Sequence, residues 1–390
     1  MRFLRRPAPQ VSPRQCTRQP WPLRTPIALP LLIALPLLIA LALAGCIAGC
    51  SGPSRLASAE GPQLDPAILE EDRGDRSRWL QLAAPAMATH WQITLPDSPS
   101  AEVAAQSAFA AITQVEQQAN EWRPDSPLAA LTRAAGGDFQ EIPRDLYQLL
   151  LLSRQLAEQT GGAFDPTWAA LWGLWDFRPT ATPKVPSPAE LQQRIRNIGW
   201  HHLQLQEGPP ARARLQQPAM VLGLGAIAKG WALDRAAAAL RAAGVRDFLL
   251  EAGGQILAGG TRDGQPWRVG LRHPRSGPDT VWAQVELQDG ESLSTTGDYE
   301  HFWMWQGQRY HHILDPRTGY PAGLGQPEWP YAAAVLARGG AVADALSTAA
   351  LVLGPQADGK LAGQLLGLFL YGPAGPKVSG PRSAALQLKP

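Results

Sequence analysis

Apolar positions recur at helical spacing in several stretches, and the stretches between them are punctuated by glycine, proline and aspartate. Val103, Ala110, Ile112 and Val115 lie on a helical pattern within 100–120, and Ser100 is placed to cap it. A second helix is predicted over 143–160, with Pro143 in its first position and Gly161-Gly162 stopping it. A short helix at 189–197 follows a proline-rich loop at 178–188. A long alanine-rich helix from about 226 to 243 ends at Gly244. Strands are predicted at 91–95, 219–222 and 248–250. From 255 to 337 the pattern shortens to β-like runs at 267–272, 280–287, 301–305, 309–314 and 331–337, separated by turn residues. A helix at 341–353 and a strand at 364–371 complete the series. Helices early and a meander late predict an α+β fold, with helices packed on an antiparallel or mixed β meander.

The N-terminus departs from this pattern. Residues 27–45 are apolar and uncharged behind arginine alone, the arrangement of a signal peptide, with small residues at Ala44-Gly45 before Cys46. Leu43-Ala44-Gly45-Cys46 resembles the lipobox of bacterial lipoproteins, and Ile47-Ala48-Gly49-Cys50 is a second match, so either Cys46 or Cys50 could carry the lipid. The reading divides the chain into a signal peptide at 1–45, a linker at 46–80, a catalytic domain at 81–372 and a frayed tail at 373–390. The expected location is a lipid-anchored body facing the periplasm, on the inner membrane, with an uncleaved anchor helix as the alternative.

With 45% apolar and 17% charged residues, the 390-residue chain has ample material for a core. Its net charge of +2 hides six arginines and no acid before residue 46, which leaves the remainder at −4. A mildly acidic body lacks the concentrated basic face that nucleic acid requires. Cys16, Cys46 and Cys50 all precede the body, which excludes a thiolate zinc site or a cysteine nucleophile there.

Several runs could carry chemistry. Gly223-Leu224-Gly225-Ala226-Ile227-Ala228-Lys229-Gly230 follows a predicted strand and opens a helix, so its amides and Lys229 could face a phosphate, although such a bend also serves as an ordinary tight turn. The same run fits a dinucleotide fingerprint, with Glu251 ending the next strand where a ribose ligand would sit. This keeps a Rossmann-like NAD(P)- or FAD-binding oxidoreductase open. His311 and His312 are adjacent on a strand and point to opposite faces. Asp344 and Thr348 lie one helical turn apart and could supply hard oxygen ligands to Mg²⁺. Trp168, Trp172 and Trp175 are spaced to share one helix face, more in the manner of a core stripe than a ligand platform. Ser294-Thr295-Thr296-Gly297-Asp298 has the polar content of a hairpin turn, with hydroxyls that could also face a phosphate.

Five of these runs occur in an order that resembles the flavin transferases of the ApbE type, the FAD:protein FMN transferases. They are 161–165 (GGAFD), 224–230 (LGAIAKG), 294–300 (STTGDYE), 311–319 (HHILDPRTG) and 343–348 (ADALST), and the resemblance spans about 82–372. It implies an ApbE-like, T-fold-like architecture and an enzyme that moves FMN from FAD to a Ser or Thr hydroxyl of a membrane-associated electron-transfer subunit, with Mg²⁺ bound and AMP released. By position it implies Ala226, Asp344 and Thr348 as metal ligands. It places flavin contacts at Met87, Trp122, Ala163, Phe164, Asp165, Lys229 and Ile313, and a family acid at the position of Gly223. The base could be His312, His311 or Asp298. Departures are Gly223 for an aspartate that contacts FAD, Ala88 for the glycine of a Met-Gly-Thr run, and Gln255 where Asp or Asn is common. A flavin-binding lipoprotein, or an FAD pyrophosphatase that uses water as acceptor, remains open at this point.

Overall fold

The computed structural model describes residues 78–178, 180–277 and 280–388. The predicted signal peptide, Cys46 and Cys50 as alternative lipidation sites, and nearly all of the linker lie outside the described residues. Sixteen strands and seven α-helices follow in order. They are β1 (Trp79–Ala86), β2 (Thr89–Pro96), α1 (Ala101–Ala119), α2 (Pro127–Arg133), β3 (Gln140–Glu141), α3 (Arg144–Gln159), α4 (Pro188–Ile195), β4 (Leu203–Gln206), β5 (Arg212–Leu215) and α5 (Ala228–Ala242). The second half holds β6 (Phe248–Ala252), β7 (Gln255–Gly259), β8 (Trp267–Arg272), β9 (Val281–Leu287), β10 (Glu291–Gly297), β11 (Phe302–Trp305), β12 (Gln308–His311), β13 (Ala332–Arg338), α6 (Gly340–Leu353), α7 (Ala357–Leu361), β14 (Gly367–Gly372), β15 (Gly375–Ser379) and β16 (Leu386–Leu388).

Eight strands form one antiparallel sheet in the order β1-β2-β6-β7-β10-β13-β14-β15. Alternation along β13 shows why both of its faces are buried. Ala333, Val335 and Ala337 join the core beneath α1, α5 and α6, while Ala334 and Leu336 join a second core with β8 and β9. That second core is closed by a three-stranded sheet, β16-β9-β8. The mixed α+β expectation with an antiparallel meander holds.

Several local expectations are corrected. Residues 219–222 are not a strand: Ala219 has φ +63°, and Val221 makes a single bridge to Trp168. The strand after α5, β6, runs antiparallel to both neighbours. The strand–helix–strand unit of a dinucleotide fold is therefore missing here, and with it the Rossmann-like reading of Gly223, Gly225 and Glu251. Ser100 precedes α1 without a side-chain cap, and Val103 is 64% exposed. The buried stripe is instead Ala101, Ala104, Ala105, Ala108, Phe109, Ile112, Val115 and Ala119, small enough for α1 to lie close against α5. Pro143 caps α3 rather than occupying its first position. The tryptophans at 168, 172 and 175 flank a single 3-10 turn at Ala169–Leu171 instead of lining a helix. Residues 294–297 are strand, not turn. The tail beyond 372 is not frayed, because β15 pairs with β14 and β16 with β9.

Candidate active site

The site forms where the first turns of α5 and α6 meet. A Cβ on Gly230 would lie 2.2 Å from the Gly340 carbonyl oxygen, so only the absence of a side chain lets the two backbones touch. That contact aims the Gly230 amide at Asp344, donating to Oδ2 at 3.0 Å. Gln255, on β7, donates to Oδ1 at 2.5 Å. Asp344 is 3% exposed, and burial raises its pKa against the opposing pull of the Lys229 charge. One turn further along α6, the Thr348 hydroxyl is 3.3 Å from that of Thr296. Ser347 bridges Thr296 at 2.8 Å and Ser294 at 3.2 Å, so the hydroxyls of β10 face α6 beneath the carboxylate.

This donor set suits a hard divalent ion. Asp344 and Thr348 hold the helical-turn relation expected of them, and Ala226 sits half-buried in the bend before α5. The buried Gln255 Oε1 beside Asp344 has no partner, an uncompensated acceptor in a place where a cation or its water would satisfy it. Among the described residues no group of three His, Cys, Asp or Glu could hold a metal, so an ion here would rest on mixed oxygen donors.

Lys229 stands in the first turn of α5, its Nζ donating to the Gly225 carbonyl at 3.1 Å. Its charge acts on Asp344, Glu121 and His312, so the glycine bend, α6 and the segment after β12 lie within electrostatic range of one lysine. The strand ends at His311, so His312 lies just past it rather than on it, and the two rings bond to different segments. His311 is buried, with Nε2 donating to the Ala322 carbonyl at 3.0 Å and Nδ1 left without a partner. His312 donates Nδ1–H to the His301 carbonyl at 3.2 Å, because a carbonyl can only accept. Burial, together with the neighbouring His301, His311 and Lys229, pushes its pKa down to about 4. The ring is therefore neutral near pH 7 and keeps its lone pair on Nε2. Asp298 is differently employed. Arg275 donates to both of its oxygens, at 2.7 and 2.6 Å, and Arg309 adds a second cation at 3.8 Å.

The remaining expected contacts divide into two groups. Met87, Ala226 and Ile313 pack half-buried at the rim of the core that contains Ala163 and Phe164. Asp165 is turned inward, with one oxygen accepting from the Thr167 amide and hydroxyl and the other from the Trp200 amide, so it shapes the loop after α3. Trp122 is 72% exposed and stacks on Trp172 at 4.3 Å. Trp172 meets Trp168 edge-on, and Trp168 donates to the Gly223 carbonyl at 3.0 Å, so indoles connect the mouth of the site to the bend. At Gly223 a Cβ would lie 2.8 Å from Ala169 Cβ and 2.9 Å from Trp168 Nε1, which leaves no room for a side chain. Sequence reasoning missed Glu121, whose carboxylate lies over this bend. Its only sequence signal is an acid beside an exposed tryptophan at a helix end.

An antiparallel sheet roofed by helices, with a buried carboxylate seated on a glycine–lysine bend, defines a class of fold and site that is shared with known proteins. The sequence profile of the ApbE family matches residues 87–369, and the chain belongs to that family. It is 35% identical over 271 residues to a FAD:protein FMN transferase of Treponema pallidum, covering 66% of this chain and 73% of that protein. With the enzyme of the same name from Vibrio cholerae it shares 29% over 282 residues, 71% of this chain and 82% of the other. The crystal structure of the ApbE protein of Thermotoga maritima superposes with a TM-score of 0.68 at 28% identity, covering 77% of this chain and 96% of that one. The apo flavinyl transferase ApbE of Pseudomonas stutzeri gives 0.66 at 28% identity, over 77% and 94%.

Proposed function

We propose that this protein transfers FMN from FAD to a Ser or Thr hydroxyl of a target protein, with Mg²⁺ bound and AMP released. The observation that carries the reading is the convergence of buried Asp344, the Lys229 bend and neutral His312 in a chain of the ApbE family. Asp344, Thr348 and the Ala226 carbonyl would hold the ion, which supplies Lewis acidity toward the diphosphate oxygens. Lys229 and the amides opening α5 add fixed positive potential where charge builds on phosphorus. His312 Nε2 accepts the proton of the acceptor hydroxyl as that oxygen bonds to the FMN phosphorus. The P–O bond to AMP breaks, and the proton passes from the ring to solvent. His312 is preferred over His311, whose one free nitrogen, Nδ1, is buried, and over Asp298, whose oxygens are committed to Arg275.

The acceptor is expected to be a membrane-associated electron-transfer subunit, and the chain to be held at the outer face of a membrane by an acyl group on Cys46. Labelling with a palmitate analogue in C46S and C50S variants identifies the lipidated residue. The decisive experiment incubates the protein with FAD, Mg²⁺ and a flavin-accepting subunit, with and without EDTA. A protein-bound fluorescent adduct with equimolar AMP, abolished by EDTA, supports transfer. Free FMN and AMP without adduct would mean that water is the acceptor.

A further inference from the structure

Glu121 belongs to the site but has no role in the chemistry above. It follows the C-terminus of α1 in a turn pinned at both ends: Asn120 Oδ1 accepts from the Trp122 amide at 2.8 Å, and Ser126 donates to the Asn120 carbonyl at 2.6 Å. This fixes the carboxylate over the bend, where Oε1 lies 3.7 Å from the position of a Cβ on Gly225. Its own backbone amide and those of Leu224 and Gly225 are directed at it, and Lys229 lies within electrostatic reach. A carboxylate offers about four lone-pair positions, so three amides still leave acceptor capacity open. Burial raises the pKa of this group, so the chain tolerates a cost in keeping an acid here. The neighbouring side chain is the exposed Trp122, stacked on Trp172 as a flat platform at the mouth. An acid cannot come from the bend itself, because Trp168 and Ala169 fill the space beside Gly223.

We infer that Glu121 is a FAD-binding residue of this chain, its carboxylate accepting from a hydroxyl or N–H donor of the dinucleotide beside the Trp122–Trp172 stack. The inference rests on the transferase reading. A carboxylate repels phosphate and attracts hydroxyl and N–H donors, so Glu121 would hold a sugar or ring edge while Lys229 faces the diphosphate. Both halves of FAD carry such donors, and the test separates them.

The full chain in detergent is titrated with FAD, FMN and ADP at fixed Mg²⁺, as wild type, Glu121→Gln and Glu121→Ala. Removing a hydrogen bond to a charged group should weaken FAD binding roughly tenfold to hundredfold in Glu121→Ala, with Glu121→Gln between. The loss should appear with either FMN or ADP and not with both, which names the half that is held. Wild-type affinity in Glu121→Ala overturns the inference. So does an equal loss for FMN and ADP together with a lowered melting temperature of the unliganded protein, since the carboxylate would then only prop the bend. A wild-type chain that binds no FAD overturns the transferase reading itself.

Discussion

Gly230→Ala tests the contact on which the proposed metal-binding geometry depends. The added methyl would sit 2.2 Å from the Gly340 oxygen, 2.4 Å from its carbon and 2.7 Å from the Ala341 nitrogen, all backbone atoms that no rotamer change can move. An ordinary contact needs about 3.4 Å or more, so α5 and α6 must part by roughly 1 Å. Overpacking of this kind costs about 1–3 kcal/mol. Stretching the Gly230–Asp344 bond removes a donor from a buried carboxylate, about 1.5–3 kcal/mol. Alanine returns about 1 kcal/mol of helix propensity. The net is about 3 kcal/mol of destabilisation, read by urea or thermal unfolding as a fall in midpoint on the order of 5 °C. FMN transfer should fall further than stability does, because Asp344 loses its aim. Gly359→Ala, in α7 with nothing within 4 Å of the new methyl, is the control and should be neutral or slightly stabilising. A Gly230→Ala protein as stable and active as wild type would show that the helices yield at this point, and the account of how Asp344 is held would be wrong.

Asp344→Asn should abolish Mg²⁺-dependent transfer yet leave the metal-free protein as stable as wild type or more so. The amide removes a buried charge, and a flipped Gln255 can then offer its unpartnered oxygen to the new donor. Marked loss of stability would count against that geometry. Because the Asp344 pKa is raised in the fold, the native state holds its proton more tightly than the unfolded chain does, so this group's contribution to stability declines as pH rises. Metal-free wild type should show that decline in denaturation midpoint and Asp344→Asn should lack it. His312, with its pKa pushed down to about 4, should sustain transfer well below the usual histidine range; an acid limb near pH 6.5 would exclude it as the base. Ala88→Gly should stabilise the protein by about 1 kcal/mol, since Ala88 at φ +57° closes the turn between β1 and β2 in a left-handed conformation costly for a side chain. Unchanged or lower stability would mean that the turn is held by its neighbours.

What could be read from the chain depended on the range of the interaction. Helical periodicity located α1, α3, α4, α5 and α6 within a few residues, because the burial of one helix face is written at spacings of three and four. The run 219–222 misled because an apolar tetrad looks the same whether it pairs as a strand or threads the core, and here it lies against Trp168. The tail beyond 372 read as frayed because the edges that β15 and β16 complete come from strands far away in sequence. Within the site, the spacing of Asp344 and Thr348 follows from helix geometry alone, whereas His312 falls past the end of β12.

Other properties depended on neighbours brought in by the fold. Which nitrogen of each histidine is left free depends on the carbonyls of His301 and Ala322, and burial encloses the free one of His311. Asp298 is occupied because Arg275 arrives from the loop between β8 and β9. Gly223 must be bare because Trp168 stands over it, and Glu121 reaches the bend from the end of α1. The sequence by itself determined which groups could do chemistry and along which element each lies, since those follow from residue type and local period. Only the tertiary structure decided which of them are charged, aimed and unoccupied, because hydrogen-bond partners and burial are supplied by residues distant along the chain.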